Sequence, residues 1–598
     1  MRASQFMPSA ELDEIEQSIQ SGIRIQLDDL KKIRYSNTAT VAQHSALVQA
    51  RLAEYIAINA VRPLPASAAE PDYVQPLHVI IKPNKKPRLV IDLSRNLNDH
   101  LPDRPFQYSS VRDAVQLASL VSEQAGTPCW FSKLDISDCF LSFPLHADSF
   151  RFVTFGFQGT FYQFTHLPFG LKSAPRTCTL LLSVVQFLLE QHGVRLVRYL
   201  DDFLLVSRSE PEARQHQQLT ASTLRSLGLV VNDSKTEGPA QRLTFLGLVL
   251  DSVGRTVSIA PERVSELTEL LQRHIDAPAS TRHKVRDIES LIGKLGFAAQ
   301  VMPAARPFMR RLLDAIKHKS HHARCRLPPT FKLDCSVWLQ RMQTWNGMLD
   351  WSVHTKTPFV IVSDASTEGF GFYLQSHPPD LDPSSLPVGL RPGHAVSGTF
   401  SSSLSRLKNH RCIAYLELFS VLYCLCLLGP LLRNRSVLIL TDNETNVSIF
   451  NRLSTRSPLI ISLLRALADL STTHSFACSA KHIAGESNTL ADFLSRPSAH
   501  QHDHLPAWRK LVADLPSPSP FSAFALAHVC TVCSCSLVLP DPLPKVDRSQ
   551  PAPPMSWAPW LRSSTPCRCE RPPSARTPPT TRRTSDSASS SDTTRWRI

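Results

Sequence analysis

Two groups of carboxylates stand where their neighbours make chemistry possible. Asp201 and Asp202 sit side by side in "VRYLDDFLLVS", between two apolar, β-rich arms. Asp135 and Asp138 follow a short strand-like run in "WFSKLDISDCFLSFPLH". Adjacent carboxylates repel, and an aspartate pair at a hairpin bend is ordinarily solvated, its side chains bonding the local backbone. For the pair alone that reading stands. The arms, however, are apolar at nearly every position, so the hairpin is expected to be covered on both faces. A covered carboxylate pair is costly without a cation. Mg²⁺ suits an all-oxygen site, with Mn²⁺ as a substitute. If Asp135 lies beside the hairpin tip, three carboxylates converge. Such a site can hold two metal ions, one activating an attacking hydroxyl and one steadying a leaving pyrophosphate.

The second group is spread over a longer stretch. Asp364 ends a strand-like run in "IVSDAS", Glu417 lies in the apolar helix "AYLELFSVLYCL", Asp442 ends "LILTDN", and Asp492 lies in "NTLADFLSR". A lone aspartate at a strand end is usually a cap or a turn. Glu417 is more informative, because an acid among apolar helical residues needs a partner; its alternatives are a helix cap or a solvent-facing side chain.

The elements that position these groups come from the wider pattern. A chain of 598 residues is too long for one core, so several domains are expected. Two amphipathic helices are predicted around Glu11–Leu30 and Val41–Val61, followed by a loop. Strands and helices alternate from Val74 to about Leu250. Thr281–Lys317 reads as two helices broken at "VMPAARP", and a second α/β pattern runs from Phe359 to about Arg496. From Pro497 onward the composition changes: 17 of the 46 prolines fall there, with many Ser and Thr, and disorder is expected over Pro573–Trp596.

The net charge is +14, and residues from Lys545 onward hold a surplus of 6, which leaves about +8 for the body. That is a moderate sign of an anionic partner such as nucleic acid. The 14 scattered cysteines and the lack of a signal peptide point to a reducing, intracellular setting, in cytoplasm or nucleus. Cys530, Cys533 and Cys535, with Cys567 and Cys569, lack the closely following His of a zinc knuckle. Leu416–Leu432 carries Glu417 and ends in Gly-Pro, so it reads as a buried helix; Phe521–Pro540 is only modestly apolar, and no membrane association is expected.

Tyr-Leu-Asp-Asp in an apolar hairpin resembles the reverse transcriptase signature. Other segments match in order: "VIIKPNKKPRLVIDLSRNLN" the fingers, "LDISDCF" the first catalytic motif, "LPFGLKSAP" the template and nucleotide support, and "LGLVVNDSKTE" and "LTFLGLVLD" the last palm motifs, the latter the primer-grip hairpin. The resemblance implies that Asp135, Asp201 and Asp202 bind metal, with a carbonyl from Ile136. Phe140 matches the steric-gate position that excludes a ribose 2′-hydroxyl; plain core packing is its alternative. Arg88 with Lys85 or Lys86 would hold the triphosphate, and Lys235 would lie near the pyrophosphate, although a lysine there can equally be a surface residue. Phe169 stands where retroviral enzymes usually carry Gln and many retrotransposon enzymes an aromatic.

The order Asp364, Glu417, Asp442, Asp492 resembles the ribonuclease H fold, in which four carboxylates bind two Mg²⁺ ions and cut the RNA of a hybrid. "KHIAGESNTLADFLSR" looks most like retroelements of the DIRS and Gypsy kind. The implied architecture is an α+β right-hand polymerase (fingers, palm, thumb) followed by an α/β ribonuclease H-like domain. Its divisions would be a helical extension (1–73), fingers and palm (74–255), thumb and connection (256–355), the nuclease-like domain (356–497) and the Pro/Ser-rich tail (498–598). Implied partners are an RNA template, a DNA primer, the RNA–DNA hybrid and deoxynucleoside triphosphates. No Asp-Ser/Thr-Gly protease motif, integrase His/Cys pattern or recombinase array is evident, and the tail reads as truncated, frame-shifted or unrelated sequence. The rival reading is a decayed or domesticated retroelement fragment that binds nucleic acid without catalysis. A third, an RNA-templated RNA polymerase, is disfavoured by Phe140 and by the nuclease-like region.

Overall fold

The apolar arms around Asp201 and Asp202 form strands Leu196–Tyr199 and Asp202–Ser207, joined by a tight turn in which Leu200 takes a φ of +52°. Successive strand side chains point to opposite faces, and here each face meets its own core. Val197, Leu204 and Val206 join Phe131 and the helix Val111–Ala125; Leu196, Phe203 and Leu205 join Leu182, Val185 and Leu189 of the helix Ala174–Gln191. A strand covered on both sides needs apolar residues at consecutive positions, which is why "FLLV" has no polar break. Each buried side chain of this kind contributes about 1.5–3 kcal/mol.

The computed structural model describes residues 9–27, 31–81, 87–345, 348–351, 357–400 and 413–496. The hairpin belongs to an antiparallel sheet ordered 237–240, 130–135, 202–207, 196–199. Beside it, strands Leu77–Ile80 and Arg88–Ile91 pair, and share a core with the sheet of Val61–Pro63, Thr160–Phe164 and Thr154–Phe157.

The N-terminal segment is built into this body. The first helix runs over Ser9–Ser21 and not to Leu30, because Gly22 turns the chain with a φ of +84°. A Cβ there would lie 2.8 Å from the His146 nitrogen. Ile23 then bonds Pro144 and His146 through its own backbone, both at 2.9 Å. The second predicted helix is split into Ala39–Gln43 and Ser45–Ala57, and Val61 already belongs to a strand.

The hairpin Arg242–Phe245 and Leu248–Asp251 opens a second antiparallel sheet, completed by Thr256–Ile259 and Met348–Asp350. Between the last two strands lie the helices Pro261–Asp276, Val285–Ala298, Arg310–Ile316 and Pro329–Trp345. "VMPAARP" breaks the helical run as expected, into a 3-10 segment over Pro303–Met309.

The third sheet is ordered 395–399, 369–376, 359–365, 436–441, 477–482. Its first three strands are antiparallel, and 359–365, 436–441 and 477–482 run parallel. The sequence pattern had marked only two of these strands. Gly369–Ser376 does alternate, with Phe370, Phe372 and Leu374 at every second position, whereas Ala395–Thr399 and Ala477–His482 are rich in Gly, Ser and Ala and lack a clear apolar period. The stretch 413–432 is long and apolar enough to cross a membrane, yet Tyr415–Leu425 is buried between this sheet and the helix Pro458–His474. Two arginines join this region to the preceding helices. Arg465 donates to the buried Asp334 at 2.8 Å, Arg341 donates to Asp469 at 2.6 Å, and both guanidinium groups lie against the Phe308 ring. Arg311 also reaches Asp334 at 3.3 Å, so this buried carboxylate has two cations.

Candidate active site

The strand register brings the first set of acids together. Asp202 pairs directly with Asp135, the last residue of Trp130–Asp135, and the Ile136 amide donates to the Asp201 carbonyl at 3.1 Å. Like charges opposite one another on a ladder are destabilising. Lys235 offsets the repulsion. Its ammonium donates to both oxygens of Asp135, at 2.9 and 2.8 Å, and Asn232 adds an amide contact at 3.3 Å. Burial pushes the Asp201 carboxyl above its ordinary range, with Asp135 adding to the effect. Burial, then Asp201 and Asp135, push Asp202 up to about 6.

Three predicted residues form a stack beside these acids. The Phe140 and Phe169 rings are 5.4 Å apart and tilted by 50°, and the Arg88 guanidinium lies 5.3 Å from the Phe169 centroid. Phe169 is held by its carbonyl, which accepts from the Ile91 amide at 3.0 Å. Lys85 and Lys86 lie outside the described residues, so the basic cluster is represented by Arg88. Asp138 turns away from Asp135 to Arg51, at 2.6 Å.

The second set also gathers. Asp364 ends the strand Phe359–Ala365, and Gly371 stands opposite it. Gly371 matters because a Cβ there would lie 2.4 Å from that of Leu494. Its absence lets the helix Thr489–Leu494, which carries Asp492, lie against the sheet. Ser495 then donates to Asp364 at 2.7 Å. Glu417 is buried on Ile413–Leu428, where Asn446 donates to it at 2.8 Å. Burial first, then Asp364 and Asp442, push Glu417 up to about 7, against the opposing Asn443 and Asn446 side chains. Asp364 is likewise raised, by burial and then by Asp442 and Asp492. The half-buried Asp442 and Asp492 therefore lie within electrostatic reach of the two buried acids.

Both sets fit Mg²⁺ by donor chemistry. They offer oxygen ligands only, and burial makes their charged forms unfavourable without a cation. Among the described residues no three acidic, His or Cys side chains stand close enough to cage a metal as they are, and at the hairpin an ammonium occupies Asp135.

The reverse transcriptase (RNA-dependent DNA polymerase) family profile matches residues 80–250, the stretch that holds the hairpin, the aromatic stack and Lys235. Residues 80–250 thus match the reverse transcriptase family, and the chain's relatives include Pol polyproteins of transposons. It is 27% identical over 300 residues to the Pol polyprotein of transposon gypsy of Drosophila melanogaster, covering 49% of this chain and 27% of that protein. It is 22% identical over 484 residues to that of transposon 412 of the same organism, covering 79% and 35%. It is 23% identical over 375 residues to polyprotein P3 of Commelina yellow mottle virus, covering 61% and 18%. The chain thus spans between about a fifth and a third of these relatives' length. Among solved structures, a foamy viral protease-reverse transcriptase in complex with RNA/DNA hybrid aligns with a TM-score of 0.45 and 14% identity, over 90% of this chain and 64% of that one.

Sequence reasoning missed Asn232 and Arg51. Asn232 lies in "LGLVVNDSKTE", three residues before Lys235, so its place was visible, whereas Arg51 lies outside the quoted motifs and 87 residues from the acid it pairs with. Asn443 and Asn446 were also missed, although their spacing of one helical turn beside Asp442 was visible in "TDNETN".

Proposed function

We propose that the chain is the RNA-directed DNA polymerase of a retroelement, with a linked ribonuclease H-like nuclease. The observation that carries the polymerase reading is the register that sets Asp202 opposite Asp135 at the tip of a doubly buried hairpin. Asp135, Asp201 and Asp202, with the Ile136 carbonyl, would hold two Mg²⁺ ions. These would supply Lewis-acid activation of the primer 3′-hydroxyl and charge stabilisation of the departing pyrophosphate. The chain's own groups do the rest. The Phe140 ring would stand beside the incoming sugar and leave no room for a 2′-hydroxyl, and Phe169 would support the base. Arg88, with Lys85 or Lys86, would hold the triphosphate. Lys235 rests on Asp135 and is free to turn toward the pyrophosphate.

The nuclease reading rests on the gathering of Asp364, Glu417, Asp442 and Asp492 around one end of a mixed five-stranded sheet. Those acids would hold Mg²⁺ and cleave the RNA of an RNA–DNA hybrid, clearing the template already copied. The RNA template, DNA primer and hybrid would be bound mainly through phosphates and duplex shape.

Primer extension on an RNA template with deoxynucleoside triphosphates and Mg²⁺ tests the first activity, and cleavage of a labelled hybrid tests the second. One observation favours the rival reading, a protein that binds nucleic acid without catalysis: the Lys235 ammonium on Asp135 already neutralises a ligand the metals need. Salt-sensitive hybrid binding with no extension and no cleavage would decide for the rival.

A further inference from the structure

Asp138 follows Asp135 in the first motif but takes no part in the acidic cluster. It adopts a left-handed conformation, φ +47° and ψ 39°, which Asp and Asn tolerate better than most residues. From there it opens the 3-10 segment Cys139–Ser142, and its carbonyl accepts from the Leu141 amide at 2.8 Å. Phe140 sits inside that segment, so the turn at Asp138 sets the direction of its ring. The Asp138 carboxylate is gripped by Arg51, from the helix Ser45–Ala57, at 2.6 Å. The Arg51 side chain is only 5% exposed. Its guanidinium lies 4.7 Å from the Tyr55 centroid and also pairs with Glu54. Val48 and Leu52 of the same helix are buried in the core that Phe140 packs against, so the guanidinium is held on a fixed support.

We propose that Arg51 is a positioning residue for nucleotide selection, holding the Asp138 turn so that the Phe140 ring is aimed at the sugar of the incoming deoxynucleoside triphosphate. This rests on the polymerase reading. The ion pair ties the N-terminal helix to the first catalytic motif and leaves the metal-binding acids untouched. Loosening it frees the ring while the acids stay in register.

The test is primer extension by the full chain, measuring kcat/KM separately for deoxy- and ribonucleotides. Arg51→Met is expected to lower the preference for deoxynucleotides by on the order of tenfold. Asp138→Asn keeps the shape and the left-handed tolerance, so it should lower the preference less, and Arg51→Lys should restore part of what Arg51→Met loses. In a Phe140→Ala background, Arg51→Met should shift the preference no further, because the ring it aims is gone. Equal losses for both nucleotide classes, or an additive effect in the Phe140→Ala background, would overturn the assignment and leave Arg51 a structural residue. Should Arg51→Met fail to fold, Asp138→Asn carries the same comparison through a partly exposed side chain. A parent chain that extends no primer overturns the polymerase reading and this inference together. A parent that extends and discriminates, with variants that discriminate equally, overturns this inference alone.

Discussion

At the hairpin, Asp135 has an ammonium against both its oxygens; at the second cluster, among the described residues, Asp364 and Glu417 are met by a hydroxyl and amides. Among the described residues, the second set is ion-paired through Arg496 on Asp492, the more exposed edge of the group. Both clusters bury acids beside acids, and they relieve the repulsion differently. Asp202 is pushed up to about 6, with Lys133 and then Lys235 opposing the shift, and Glu417 is pushed up to about 7, with the Asn443 and Asn446 side chains opposing it. The second cluster therefore depends more on a cation from solution.

The strongest way to break this comparison is to remove one acid from each side. Asp201→Asn is expected to reduce DNA synthesis at least about a hundredfold while hybrid cleavage stays near the parent rate. Substantial synthesis by that variant would take Asp201 out of the site. Glu417→Gln should do the converse, with a loss of cleavage of similar order and synthesis intact. Because Gln carries no charge to desolvate, this variant should also melt no lower than the parent in EDTA. If it cleaves hybrid at the parent rate, Glu417 is only a packed polar residue.

Lys235 sharpens the contrast. Lys235→Met leaves the buried Asp135 without its counter-ion, and the metal-free protein should lose about 1–2 kcal/mol, a figure discounted because the ammonium is more than half exposed. Mg²⁺ should recover most of that loss in thermal melts. An equal loss with and without Mg²⁺ would mean that metal and lysine do not share Asp135.

The smallest effect is in pH. Asp202 and Glu417 have ordinary values of 3.8 and 4.5, and both are raised in the folded protein. The folded state thus keeps protons that the unfolded chain has released. These groups take stability away as pH rises, from about 4 to about 6 at Asp202 and from about 4.5 to about 7 at Glu417. Stabilisation by Mg²⁺ should therefore be larger at pH 8 than at pH 5.5. On acidification, hybrid cleavage should fall off at a higher pH than DNA synthesis. Coincident profiles would show that the resident lysine makes no difference.

What was legible in the sequence was chemistry tied to contiguous stretches. The doubly apolar hairpin arms announced burial on both faces because strand side chains alternate, and a run without polar breaks can only be covered twice. Asp135, Asp201 and Asp202 could be matched because each lies in a short motif whose local geometry is set by adjacent residues. Glu417 could be singled out because an acid in an apolar helix is conspicuous. Long-range pairing was not legible. Nothing in the local pattern linked Arg51 to Asp138, or Gly371 to Leu494, since those contacts depend on how separate elements pack. Weakly apolar strands such as Ala395–Thr399 and Ala477–His482 are strands because a neighbouring edge receives them. The sequence by itself determined which residues carry charge into the interior. The tertiary structure decided which counter-charge, amide or hydroxyl meets each of them, because neutralisation depends on distances across the fold and not on spacing along the chain.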